Sequence, residues 1–181
     1  CEPNLAARIT TANSVLDRTG AVFIHPFDNP NVIAGQGTAA KEMIEECGNL
    51  DAVLSPIGGG GLMSGTCMST RGLLPEATVY GAEPEGADDA AKSLESGKFT
   101  PQTGPDTICD GLLTSMGELT WPIIRDHVEQ IFRVGDEDVL RAMKILHDVF
   151  DMIVEPSGAI SLAAVLKEEF REKQGIESIG I

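Results

Sequence analysis

Positive charge is scarce in this chain of 181 residues, where 13 Lys and Arg face 28 Asp and Glu, a formal net charge of −15 with the histidines neutral. A surface of that sign repels a phosphate backbone, which excludes nucleic acid as an expected partner. Long apolar runs are missing as well. None approaches the roughly 18 residues of a membrane helix, and no basic, apolar, small-residue leader opens the chain. A soluble protein without a membrane partner is therefore expected. Cysteine is sparse: Cys1, Cys47, Cys67 and Cys109 have neither the density of a disulfide scaffold nor the paired spacing of a zinc site, and they predict a reducing, cytoplasmic setting. His25, His127 and His147 also lack ligand spacing. What remains is globular composition, 42% apolar with mean hydropathy +0.02, enough at this length for one core of ordinary domain size.

Hydrophobic spacing predicts a helix over residues 4–19 that stops at Gly20, then a short strand Ala21–His25 bounded by the hinge-like Pro26-Phe27-Asp28-Asn29-Pro30. A second helix follows from Val32 to Cys47. Ala52–Ile57 reads as a buried strand entering Gly58-Gly59-Gly60-Gly61, with a helix from Leu62 to Leu73 and a strand over Ala77–Ala82 behind it. Strand, helix, strand in this order implies a parallel crossover. Residues 97–120 carry Gly97, Pro101, Gly104, Pro105, Gly111 and Gly117, which predicts a long irregular loop. Val128–Val134 is strand-like, 136–150 and 158–172 are helical, and a last strand begins at about Ser178. The expected class is α/β, an open, mainly parallel sheet flanked by helices. The chain opens on Cys1 rather than methionine and closes on what reads as a strand cut midway, Ile176 to Ile181, so a piece of a longer polypeptide is expected.

Two constellations could carry chemistry. Four glycines directly after a buried strand and before a helix let the backbone N–H groups turn inward together, and the helix dipole adds positive potential behind them. Such a nest holds a phosphate even in an acidic chain; the bland alternative is a flexible loop. No Walker-type pattern surrounds Gly97-Lys98, and dinucleotide-fingerprint spacing is poorly met. The second constellation is Glu83-Pro84-Glu85-Gly86-Ala87-Asp88-Asp89. Carboxylates with a turn carbonyl suit magnesium or calcium. The alternative is acidic decoration of a helix N-terminus.

Taken together, Ser55-Pro-Ile-Gly-Gly-Gly-Gly-Leu-Met-Ser-Gly65, Ala82-Glu-Pro-Glu-Gly-Ala-Asp-Asp89, Thr107-Ile-Cys-Asp-Gly111 and Val154-Glu-Pro-Ser-Gly-Ala159 resemble the serine racemases and serine/threonine dehydratases. These are pyridoxal-phosphate enzymes of the tryptophan synthase β-subunit fold, also called fold type II. The resemblance extends over essentially the whole chain, including His25-Pro26 and Val32–Thr38. It implies that residues 1–27 are the tail end of a small domain and its hinge, and 28–181 part of a large cofactor-binding domain truncated at both ends. By the same resemblance, Gly58, Gly59, Gly60, Gly61 and the N–H of Leu62 would hold the phosphate of pyridoxal 5'-phosphate. Gly111 would lie near the pyridine ring and Glu155 beside it. Glu83, Asp89 and the carbonyl of Ala87 match the family's divalent-cation site, for Mg2+ or Ca2+. The position of Cys109 is more often alanine in the family.

The departures set what this chain lacks. The family's Schiff-base lysine sits in Ser-Phe-Lys-x-Arg-Gly, whereas the one Ser-x-Lys here is Ser96-Gly97-Lys98, followed by Phe99-Thr100-Pro101 without the arginine. No catalytic residue is therefore expected within this chain. The cofactor-stacking phenylalanine, the serine on the opposite face and the asparagine-bearing substrate loop would precede Cys1, and the turn that meets the pyridine nitrogen would follow Ile181. For the intact parent the resemblance implies racemisation and/or β-elimination of serine, with threonine as a further substrate, through a carbanion stabilised by the cofactor ring, in a homodimer acting on small amino acids. The alternative is a non-catalytic truncated module that keeps a phosphate loop or dimer surface.

Overall fold

The computed structural model describes residues 1, 2 and 5–181. Helix α1 spans Leu5–Thr19 and ends where Gly20, at φ +67, donates its N–H to the Leu16 carbonyl. The expected start at residue 4 lies outside the described residues. Helix α2, Pro30–Cys47, begins two residues earlier than the spacing suggests. Asn29 caps it, its side chain accepting from the N–H groups of Asn31 and Val32, and Pro30 supplies a first-turn residue that needs no N–H acceptor.

Four strands follow: β1 (Ala52–Pro56), β2 (Thr78–Pro84), β3 (Gln130–Val134) and β4 (Ile179–Gly180). They form one parallel sheet in the order β3-β2-β1-β4. A parallel sheet must be covered on both faces, because crossover helices occupy both. The side-chain period of two divides the work here. Tyr80 and Phe132 point to one face, where Val139 and Ala142 of α6 (Asp136–Phe150) and Ala159, Ile160 and Ala163 of α7 (Pro156–Leu166) close over them. Val79 and Ile131 point to the other, packing with Met63 and Cys67 of α3 (Gly61–Leu73), Ala90 and Ala91 of α4 (Asp89–Ser96), and Ile124 of α5 (Thr120–His127). Outside this layer α2 lies directly on α3, and a Cβ at Gly65 would come within 2.4 Å of the Gly37 nitrogen. Only glycine permits that approach of two backbones.

The topology places a ligand crevice. The chain runs outward from β1 through β2 to β3 and then returns to the far side of β1 as β4, so the winding reverses next to β1. Ligands of open α/β sheets bind beyond the carboxyl ends of the strands at such a switch point, and the loop leaving β1 there is the glycine run.

Three expectations are corrected. Ala21–His25 is not a strand: it is an exposed coil, with Val22 85% and Ile24 67% accessible. An apolar run has strand propensity but needs a paired edge, and none lies beside it among the described residues. The helix expected over 158–172 is two, because Lys167 adopts an extended conformation at φ −64, ψ 144, and its ammonium donates to the Arg133 carbonyl at 2.6 Å before α8 (Glu168–Arg171) resumes. Between the irregular loop and β3 lies α5, which the spacing did not reveal; Val128 caps that helix, so β3 starts at Gln130.

Candidate cofactor site

The glycine run is built by the elements on each side of it. The Ile57 N–H donates to the Ala82 carbonyl at 2.9 Å, which holds the chain in the sheet one residue beyond β1. Gly60 then turns it at φ +85, ψ 1, a left-handed conformation natural to glycine, and α3 begins at Gly61. No side chain caps this helix and no acidic residue lies in its first turn. Its N-terminal amides and dipole are therefore available to an anion.

A cavity of about 820 Å³ opens in front of the loop, within the size range of small-molecule sites. Gly58, Gly59, Gly60, Gly61, Leu62, Gly111 and Glu155 all line it. The absence of side chains is a packing requirement. A Cβ on Gly59 would stand 2.3 Å from the Phe27 ring, and one on Gly58 would stand 3.0 Å from the Gly111 carbonyl. Gly111 sits in a short 3-10 turn, Asp110–Leu112, and donates its N–H to the Ser157 hydroxyl at 3.0 Å. Ser157 is itself buried in the first turn of α7, immediately after Glu155 and Pro156. A bare amide cup, a helix N-terminus without a cap and a cavity of this size fit a phosphate-bearing cofactor.

The same cavity collects residues that the sequence did not single out. Phe27 and Gln36 close one wall, and Arg8 of α1 brings a cation to it. A short signal existed for Phe27, in the proline-bounded hinge. None existed for Arg8, which is one polar residue on an exposed helix.

The acidic cluster divides into two parts. Asp88 is partly buried and pairs with Lys92 at 2.6 Å and Arg133 at 2.9 Å. Glu83 and Asp89 are buried, at 1% and 3% exposure. Glu83 accepts from the N–H groups of Ala90 and Ala91 at 3.0 and 2.8 Å, so its carboxylate does sit on the N-terminus of α4. Burial nevertheless pushes its pKa up to about 8, with the charge of Asp89 adding to the rise. Burial likewise raises Asp89 to about 6. Its Oδ1 accepts from Gln102 Nε2 at 3.1 Å, while Oδ2 is buried with no hydrogen-bond partner. Ala87, also buried, belongs to the 3-10 turn Glu85–Ala87 between the two carboxylates. Among the described residues no group of three or more His, Cys, Asp or Glu side chains converges as a metal centre. Two carboxylates, one oxygen of which is orphaned, and a turn carbonyl still fit a hard cation chemically.

A parallel sheet with an uncapped helix N-terminus at the carboxyl end of β1 and a cavity of about 820 Å³ before it has the geometry of an α/β domain that can hold an anionic small molecule. The chain belongs to the pyridoxal-phosphate dependent enzyme family, whose model matches residues 1–179. It is 45% identical to serine racemase of Dictyostelium discoideum, covering 100% of this chain and 56% of that protein. A crystal structure of serine racemase from that organism superposes with a TM-score of 0.93, covering 100% of this chain and 58% of the other. It is also 45% identical to beta-hydroxyaspartate dehydratase of Paracoccus denitrificans, over 92% of this chain and 53% of the relative. The crystal structure of a T.th. threonine deaminase is 42% identical with a TM-score of 0.85, covering 92% and 61% of the two chains. The chain spans about half the length of the curated relatives it matches.

Proposed function

We propose that the full-length protein carrying this chain catalyses racemisation and/or β-elimination of a small hydroxy amino acid, serine first and threonine as a further substrate, and that this chain supplies the phosphate cup and one wall of the ring pocket. The carrying observation is the convergence of the uncapped glycine loop, Gly111 and Glu155 on one cavity. Bound pyridoxal phosphate supplies an electron sink for negative charge at the substrate α-carbon. The amides of Gly58–Leu62 bind the phosphate. Gly111, tethered by Ser157, and Glu155 flank the ring, and the apolar walls around Phe27 and Leu112 exclude water. Arg8 offers its charge to an anionic group in the same space. Residues 1–27 act as the end of a small domain and its hinge, 28–181 as part of the large domain, in a cytoplasmic homodimer.

Glu83, Asp89 and the carbonyl of Ala87 bind Mg2+ or Ca2+ in this reading, supported by the burial of both carboxylates and the orphaned Asp89 Oδ2. The role is structural, tying β2 to α4, since no ligand lies in the glycine loop. The lysine that carries the cofactor lies outside this chain, because none of its lysines stands in the family's motif. Reduction of the reconstituted full-length protein with borohydride, followed by mass spectrometry and assays for D-serine and pyruvate, tests both points. A labelled lysine outside these 181 residues and turnover of serine are expected. A folded full-length protein with no labelled lysine and no turnover favours instead the non-catalytic module, and a stoichiometric label on Lys98 contradicts the assignment.

A further inference from the structure

The hinge residue Asp28 and the glycine loop are joined through α5, far away in sequence. Asp28 accepts from three consecutive amides at the start of α5: Glu118 N–H at 3.0 Å on Oδ2, and the N–H groups of Leu119 and Thr120 at 2.8 and 3.3 Å on Oδ1. It fits there because Gly117 has no side chain; a Cβ would stand 2.2 Å from the carboxylate. Thr120 is fully buried. Its hydroxyl accepts from the Gly117 N–H at 2.8 Å and donates to the Gly59 carbonyl at 2.8 Å, closer than its other acceptor, the Gly117 carbonyl, at 3.4 Å.

The consequence follows from the peptide plane. A trans peptide sets C=O and the following N–H on opposite sides, so drawing the Gly59 carbonyl toward α5 turns the Gly60 N–H away from it. Gly60 lines the cavity, and neither Thr120 nor Ile124, its neighbours across the loop, does so. The loop therefore stands between α5 and the cavity. Valine would fill the space of Thr120 equally well, so packing alone does not require the hydroxyl.

We propose that Thr120, held in place by Asp28, is a positioning residue that aims the glycine-loop amides at the cofactor phosphate. The proposal rests on the reading of the cavity as the cofactor site. Phe27 presses on the loop from the cavity side while Asp28, the next residue, holds it from behind through Thr120, so a single dipeptide of the hinge sets the cup.

The test compares Thr120→Val, Thr120→Ser and Asp28→Asn in the full-length protein carrying this chain, measuring affinity for pyridoxal phosphate and for pyridoxal, which lacks the phosphate, together with the phosphorus NMR resonance of the bound cofactor. Thr120→Val should bind pyridoxal phosphate roughly tenfold more weakly, the scale of one buried hydrogen bond, with a displaced phosphorus resonance and unchanged affinity for pyridoxal. Thr120→Ser should restore both. Asp28→Asn should show a smaller loss in the same direction, and it decides the matter if Thr120→Val does not fold. Unchanged pyridoxal phosphate affinity in the folded variants, equal losses for both ligands, or failure of serine to rescue would overturn the proposal. A wild-type protein that binds neither ligand overturns the cofactor reading itself, and the proposal with it.

Discussion

Replacing Gly60 by alanine probes the turn on which the proposed phosphate cup depends. Gly60 lies at φ +85, where an L side chain costs about 1–2 kcal/mol. The new Cβ would also meet Ile124 Cδ1 at 2.8 Å and Thr120 Cβ and Oγ1 at 2.9 Å. The isoleucine terminus can swing aside, but Thr120 is tied to Gly117 and Gly59 and must move as a unit, which adds about 1–3 kcal/mol of overpacking. The combined loss, about 2–5 kcal/mol, is a large share of the stability of an ordinary domain. Gly72→Ala is the internal control: Gly72 is exposed in α3 with nothing near its Cβ position, so alanine should gain about 0.5–1 kcal/mol. Denaturant titration of the full-length protein without cofactor reads both, and cofactor titration should show weakened binding for Gly60→Ala alone. A Gly60→Ala protein within about 0.5 kcal/mol of wild type, less than the left-handed cost by itself, would refute the reasoning.

Three further outcomes are expected. Gly65→Ala should cost about 3 kcal/mol, because its Cβ meets backbone atoms of α2, the Gly37 nitrogen at 2.4 Å and the Ile33 carbonyl oxygen at 2.6 Å, and no side-chain rotation relieves that; an unchanged denaturation midpoint would contradict the helix contact. Asp51 accepts from the N–H groups of Glu177 and Ser178 and from the Ser178 hydroxyl, which hold its pKa below the ordinary 3.8. A carboxyl depressed on folding stabilises above its unfolded pKa and loses that contribution as pH falls through the folded one, so Asp51→Asn should be less stable than wild type at neutral pH with the gap closing in acid, and a gap independent of pH would show that the ionised form is not what matters. Asp89→Ala should abolish any rise in melting temperature that the full-length protein shows on adding Mg2+ or Ca2+, and a variant that retains the full rise would contradict the proposed cation site.

What the sequence disclosed depended on how locally each feature is encoded. The runs at 52–57 and 77–82 declared themselves as strands because both are apolar and bounded by turn residues, and the four glycines marked their own loop. Ala21–His25 has the same local character and is coil, since pairing depends on a neighbour that no short window contains. Helix α5 spans only Thr120–His127, about two turns, too short for a periodic signal after a glycine-rich loop. The acidic cluster was visible, but not its division into ion-paired Asp88 and buried Glu83 and Asp89, because the partner of Asp88, Arg133, comes from the next strand. Thr120 and Asp28 were invisible as site residues for the same reason. They stand 61 and 31 residues from Gly59 along the chain, and only the packing of α5 behind the glycine loop brings them to it.

The most direct measurement is a crystal structure of the full-length protein grown with pyridoxal 5'-phosphate. The account predicts the phosphate within hydrogen-bond distance of the amides of Gly58–Leu62, with Gly111 and Glu155 beside the ring and the Thr120 hydroxyl still on the Gly59 carbonyl. A phosphate held elsewhere, with the glycine loop facing only solvent, would contradict it.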